Sequence, residues 1–214
     1  MTRDCALERS THRSIRWLAI GASAALLIAL ERNVAFLVRQ FPEKVRAFFA
    51  LVSSVTEPVL VLPLLAAILA IALLRSGKRG CHLPVKVAAI CLISGTCALV
   101  LALLGKVPLG RARPQITGEL DPLVFKPFGG SAAFESLPSA QAATTAAICI
   151  CLATYAPRSR LIVLPCMVLI GLSRVVIERH WVSDVVAGWM AGWLAASMTL
   201  LLFRRMLGTG ERGM

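Results

Sequence analysis

Long apolar blocks, separated by short polar or charged stretches, dominate the pattern of this chain. Six blocks approach or reach membrane-spanning length: about Trp17–Leu30, Pro58–Leu74, Val85–Leu104, Gln141–Tyr155, Leu161–Val176 and Val182–Phe203. A helix needs roughly 20 apolar residues to cross a bilayer, and only helices and closed barrels satisfy their backbone groups there. The pattern therefore predicts an all-α, polytopic membrane protein. The expected architecture is a six-transmembrane-helix bundle over 17–205, between an N-terminal segment at 1–16 and a tail at 206–214. The first block is short, and a continuation through Val34–Val38 would have to accommodate Glu31 and Arg32. Its Gly21-Ala22-Ser23-Ala24 lies inside the block and not after it, so the block reads as a retained span.

Pro42–Val55 follows a different period. Val45, Phe48, Phe49 and Val52 recur at helical spacing, with Glu43, Lys44 and Arg46 between them. This predicts an amphipathic helix along the membrane interface, with packing over the bundle as the alternative.

Charge sharpens the topology. The net charge of +12 would point to nucleic acid in a soluble protein. In a chain that is 57% hydrophobic it reflects topology and anionic lipid instead, and no nucleic-acid partner is expected. With six spans the termini share a side, which carries 13 Lys and Arg against 3 acids; the other side carries 10 against 8. Several of those ten fall in the chemical clusters described next. The positive-inside rule then places both termini in the cytoplasm. The seven cysteines mostly sit within apolar blocks without zinc-type spacing and read as packing residues.

Three polar clusters fall on the side away from the termini. Lys106 to Arg113-Pro114 leaves the third block, Pro138-Ser139-Ala140-Gln141 enters the fourth, and Ser173-Arg174 to His180 and Asp184 joins the last two. Lys106, Arg113 and Arg174 can clamp a phosphate, arginine with bidentate forks. Ser139 and the free N–H groups of a helix start add an anion site. Asp184, four residues after His180, could hold one imidazole nitrogen and leave the other free to attack phosphorus. Ordinary interfacial arginines and a satisfied histidine are the bland reading of any one cluster. Three on one side favour a site. His12 and His82 lie on the opposite side, and Trp181, Trp189 and Trp193 most simply anchor or pack the last span.

Two of these clusters resemble the type 2 phosphatidic acid phosphatase superfamily, with its pattern K-x6-R-P, P-S-G-H and S-R-x5-H-x3-D. Lys106 to Arg113-Pro114 matches the first motif, and Ser173-Arg174 to His180 and Asp184 the third. The resemblance implies His180 as the nucleophile of a phosphohistidine intermediate and Asp184 as its orienting partner. It implies Lys106, Arg113, Ser139 and Arg174 as phosphate ligands, and neither metal nor cofactor.

The second motif departs: Ala140 and Gln141 stand where the family has Gly and His. In the family that histidine protonates the leaving group. Glutamine cannot exchange a proton near neutral pH, and such help is worth roughly 10²–10⁴-fold. Three routes remain open: a diphosphate substrate whose leaving group needs no proton, a replacement acid at Glu135 or next at Glu178, or a site that binds phosphate without turnover.

The expected function is a lipid phosphatase or phosphotransferase acting on a lipid phosphate or diphosphate at the periplasmic face of a bacterial inner membrane. The alternative is a catalytically silent lipid-phosphate-binding protein of the same fold. A transporter fits less well, because the charged groups cluster at one surface and not at the midplane.

Overall fold

The structure, a computed structural model, describes residues 30–76 and 83–208, together with 23 and 26, and side chains as far as 204. Most of the first expected span, Trp17–Leu30, lies outside the described residues, as do the N-terminal segment and the tail beyond residue 208. The described part of α1 runs from 30 to 39, so the helix does continue past Glu31 and Arg32. There follow α2 (Glu43–Val55), α3 (Pro58–Ser76), α4 (Leu83–Leu109), α5 (Ala140–Tyr155), α6 (Arg160–Val176) and α7 (Val182–Gly208). Every regular element among the described residues is helical.

Among the described residues, four stretches are long and apolar enough to cross a membrane: Pro58–Arg75, Leu83–Leu109, Pro157–Val176 and Val182–Arg204. The expected span at Gln141–Tyr155 is the shorter apolar helix α5, of 16 residues. At 1.5 Å per residue it is about 24 Å long, short of the hydrocarbon thickness. It packs against α4, α6 and α7, and Ala142, Ala143, Ala146, Ala147, Cys149 and Cys151 are buried. An apolar run looks alike in sequence whether lipid or other helices surround it. α4 runs past the expected Leu104, which puts Lys106 in its last turn.

Small residues bring α5 and α7 together. Ala98 and Ala102 of α4, Ala143 and Ala147 of α5 and Ala195 of α7 form one buried cluster. A Cβ on Gly188 would lie 2.5 Å from the Ser139 carbonyl oxygen, and one on Gly192 2.3 Å from that of Ala143. The two glycines, one turn apart, let the backbones touch, the packing mode that small residues four apart support in membranes. The contact sets the helix N-termini side by side, with Ser139 N–H donating to the Asp184 carbonyl at 3.0 Å.

α2 lies over the end of the bundle to which these N-termini point. Its apolar stripe divides. Phe49 packs against Val38, Val175 and their neighbours, and Ser53 is buried, whereas Val45, Phe48, Leu51 and Val55 are exposed. One side thus covers the bundle and the other remains available to an interface.

Gly188→Ala and Gly192→Ala are each expected to cost about 1–3 kcal/mol by pushing the two helices apart. Thermal unfolding in detergent checks this. Gly118→Ala, where a Cβ meets nothing within 4 Å, should leave the transition unchanged.

Candidate active site

The α4–α5 connection carries the first motif into the bundle end. Gly110, at φ +58°, turns the chain sharply after α4, and a Cβ there would lie 2.2 Å from the Lys126 carbonyl oxygen. Only a residue without a side chain fits this turn. Arg111 then enters the interior. Its Nη2 donates to Glu31 Oε2 and its Nη1 to Asp184 Oδ1, both at 2.6 Å; Nη1 also donates to Ser183 Oγ, and Nε to the Pro122 carbonyl. The guanidinium lies 5.5 Å from the Trp181 ring centroid, and Trp181 Nε1 donates to the Ala112 carbonyl. Trp181 is therefore a packing residue of the site and not an interfacial anchor.

Glu31 and Asp184 also cap α7. Ser183 donates to Glu31 Oε1 through both its backbone N–H and its hydroxyl. Asp184 Oδ2 accepts from Trp181 N–H at 2.9 Å, the reach-back of a third-position acid to the residue that precedes the helix. The same oxygen accepts from Ser136 Oγ at 2.5 Å.

His180 is buried at the head of this network. Its Nδ1 lies 2.8 Å from the Ser136 carbonyl oxygen and 3.8 Å from Asp184 Oδ2. The carbonyl is the direct partner, so Nδ1 carries the hydrogen and Nε2 keeps a free lone pair. Asp184 stands behind, holding Ser136 and the α7 start. Burial pushes the His180 pKa from 6.5 down to about 4, with Arg174 and Lys106 adding to the push and Asp184 opposing it. The imidazole is thus neutral near pH 7.

Lys106, Arg113 and Arg174 share a cavity of about 600 Å³ with His180, Gln141, Glu135 and Glu57. Its remaining wall is apolar, from Pro58, Val59, Leu62 and Pro63 of α3 and Leu99 and Leu103 of α4. Lys106 Nζ donates to the Glu135 carbonyl at 2.5 Å, and Arg174 Nη1 donates to Ser53 Oγ of α2. The Nε groups of Arg113 and Arg174 are buried without partners. Burial and the nearby Arg179 push the Arg113 guanidinium below its usual range. Cations in this state gain from an anion. Ser139 is enclosed and caps α5 through its Oγ, which accepts from Ala142 N–H; Ala140 and Gln141 line the cavity at that helix end.

Glu178, a candidate replacement acid, and Gln141, expected on the leaving-group side, each have other partners. Glu178 gives its two carboxylate oxygens to Arg39 and Arg46, at 2.7 and 3.0 Å, because a φ of +57° turns the chain toward α1 and α2. Gln141 Nε2 donates to the Ser53 carbonyl at 2.9 Å and to Thr56 Oγ1 at 2.6 Å. Glu31, Arg111, Ser136, Ser53 and Glu57 were not singled out from sequence. Only Glu31 carried a signal, as an acid in the run of an apolar helix.

The arrangement brings a neutral imidazole, three cations and an apolar wall to one cavity, and the family assignment agrees with it. Residues 83–206, more than half of the chain, match the PAP2 superfamily model, and the chain belongs to that superfamily. The lipid A 1-phosphatases of Rhizobium etli and Rhizobium johnstonii are each 37% identical over 106 residues. That match covers 50% of this chain but only 46% and 43% of those proteins, less than half their length. The crystal structure of Aquifex aeolicus LpxE is similar at a TM-score of 0.60 and 20% identity, covering 80% of this chain and 94% of that one. The PAP2-type phosphatidylglycerolphosphate phosphatase of Bacillus subtilis is similar at a TM-score of 0.64 and 18% identity, covering 89% and 94%. At these identities the two crystal structures support the fold.

Arg111→Met leaves two buried carboxylates without their cation and is expected to cost about 3–5 kcal/mol in thermal unfolding. Arg46→Ala, at a partly exposed pair, should cost under about 1 kcal/mol. His180 yields a pH dependence. Between pH 6.5 and about 4 the unfolded chain takes up a proton that folded His180 refuses, so stability falls as pH drops through that window. The loss reaches roughly 3 kcal/mol below it. His180→Gln should flatten this part of the stability profile.

Proposed function

We propose that this protein is an integral membrane phosphatase that acts on a lipid phosphate or diphosphate through a phosphohistidine at His180. The observation that carries the reading is the free, neutral Nε2 of His180 in a cavity whose cationic walls are Lys106, Arg113 and Arg174. A phosphate clamped by these cations presents phosphorus to that lone pair. The N–P bond forms as the bond from phosphorus to the lipid oxygen breaks. Water then attacks phosphorus, the N–P bond breaks, and phosphate leaves with His180 neutral again. The cations stabilise the charge on the transferring group in both steps.

The apolar wall from α3 and α4 suits an acyl or polyprenyl chain beside the phosphate. The Rhizobium relatives are named for the 1-phosphate of lipid A. Such an anomeric phosphate belongs, with a diphosphate, among substrates whose leaving oxygen is less basic than a simple alkoxide. Gln141, which can hydrogen-bond but not exchange a proton, favours that class. The same glutamine supports a second reading, a silent lipid-phosphate-binding protein. The charge pattern supports a site at the periplasmic face of a bacterial inner membrane, with both termini in the cytoplasm.

Purified protein in detergent micelles is expected to release phosphate from a polyprenyl diphosphate or a lipid A 1-phosphate faster than from phosphatidic acid. His180→Ala should lower all three by at least about 10³-fold. Full release by that variant would sink the histidine mechanism. Binding of vanadate with no release from any lipid would establish the silent reading.

A further inference from the structure

We propose that Glu57 is the proton-transfer residue on the leaving-group side, and that Gln141 is the positioning residue that holds it there. The inference rests on the phosphatase reading above.

Gln141 occupies the place of the family's proton donor but uses its amide on backbone and side chain. Both of its Nε2 bonds go to the last turn of α2, to the Ser53 carbonyl and to Thr56 Oγ1. Thr56 Oγ1 itself donates to the Val52 carbonyl at 2.7 Å. The next residue is Glu57. Its carbonyl accepts from Leu60 N–H and Val61 N–H at 2.9 and 3.0 Å, which starts α3, and Pro58 follows with its fixed φ. The backbone of Glu57 is thus fixed on one side by the Gln141 tether and on the other by a helix start.

The side chain of Glu57 lines the cavity that holds His180, and its Oε1 lies 3.9 Å from Arg174 Nη1. It is 48% exposed, so it can exchange protons with water. The other acids near the site are committed. Glu31 and Asp184 serve Arg111, and Glu178 serves Arg39 and Arg46. Glu135 also lines the cavity, where its carbonyl accepts from Lys106 Nζ. Gln141 Oε1 is buried without a partner and leaves an acceptor open at the same wall.

The proton balance closes over one turnover. As His180 Nε2 bonds to phosphorus, the lipid oxygen leaves and takes the Glu57 proton, giving an alcohol and a carboxylate. Water then attacks the phosphohistidine and its proton goes to Glu57. Phosphate and neutral His180 are released, and the carboxyl is restored.

The test uses the full chain in detergent with two probes. p-Nitrophenyl phosphate has a leaving group that needs no proton, whereas phosphatidic acid in mixed micelles has one that does. Glu57→Gln is expected to lower turnover of phosphatidic acid by about 10²-fold or more. With p-nitrophenyl phosphate it should give a burst of one nitrophenolate per site followed by slow turnover, because phosphorylation proceeds and water activation fails. Glu57→Ala should regain turnover when formate is added. Glu57→Gln with wild-type rates, an equal loss on both probes without a burst, or the burst appearing in Glu135→Gln instead would each overturn the assignment. Wild-type protein that turns over neither probe, or His180→Ala that still releases phosphate, would remove the phosphatase reading itself.

Discussion

The site depends on one buried cation held between two buried carboxylates. Arg111 joins Glu31 of α1 to Asp184 of α7 across 80 and 73 positions of sequence. Each charge alone would be costly in a low-dielectric interior, and together they are tolerated because nearly every donor and acceptor is used. Arg111 makes four hydrogen bonds from its guanidinium and lies over Trp181. The carboxylates also serve the α7 N-terminus, where negative charge is favoured. Two helices and the α4–α5 connection thereby meet at a single point. Removing any member leaves the others buried and unpaired, so the arrangement persists as a unit.

His180 inherits its state from that point. Asp184 is held by Arg111, Ser136 is held by Asp184, and the Ser136 carbonyl fixes the hydrogen on Nδ1. The imidazole is therefore oriented by a backbone carbonyl, with the carboxylate one step behind it. Had Asp184 been a direct 2.8 Å partner, it would have pulled harder toward the protonated ring. Arg111 and its acids satisfy one another, whereas Lys106, Arg113 and Arg174 face the cavity with buried Nε groups left open on the two arginines. The charges that satisfy one another and the charges that face the cavity are kept apart.

The long helices were legible in the sequence because a lipid surround demands an unbroken apolar run. α5 is apolar like the longer helices but shorter, and its alanines and cysteines face other helices; composition does not record which neighbour is apolar. Of the residues expected to converge, Lys106, Arg113, Arg174 and His180 line one cavity with Gln141, whereas Ser139 and Asp184 lie behind its lining as helix caps. What stayed hidden was nonlocal or made of backbone. Glu31 meets Arg111 through the fold, with no periodicity to announce it. Any residue at 136 could supply a carbonyl to His180, so Ser136 carries no signal in that role. Glu178 looked available from its place beside His180 in sequence, and only its left-handed backbone and two arginines exclude it.

The glutamine at 141 shows how a departure from a family pattern can alter the part a neighbour plays. A histidine at that position can move a proton, and a glutamine offers two donors and one acceptor that never change state. Here both donors go to the end of α2, the same helix whose Ser53 accepts from Arg174. That helix exposes Phe48, Leu51 and Val55 on its outer side. A surface suited to lipid is thus hydrogen-bonded, through one turn of helix, to an arginine facing the cavity and to the residue preceding Glu57. A side chain that could exchange a proton is replaced by one that fixes a corner of the cavity wall.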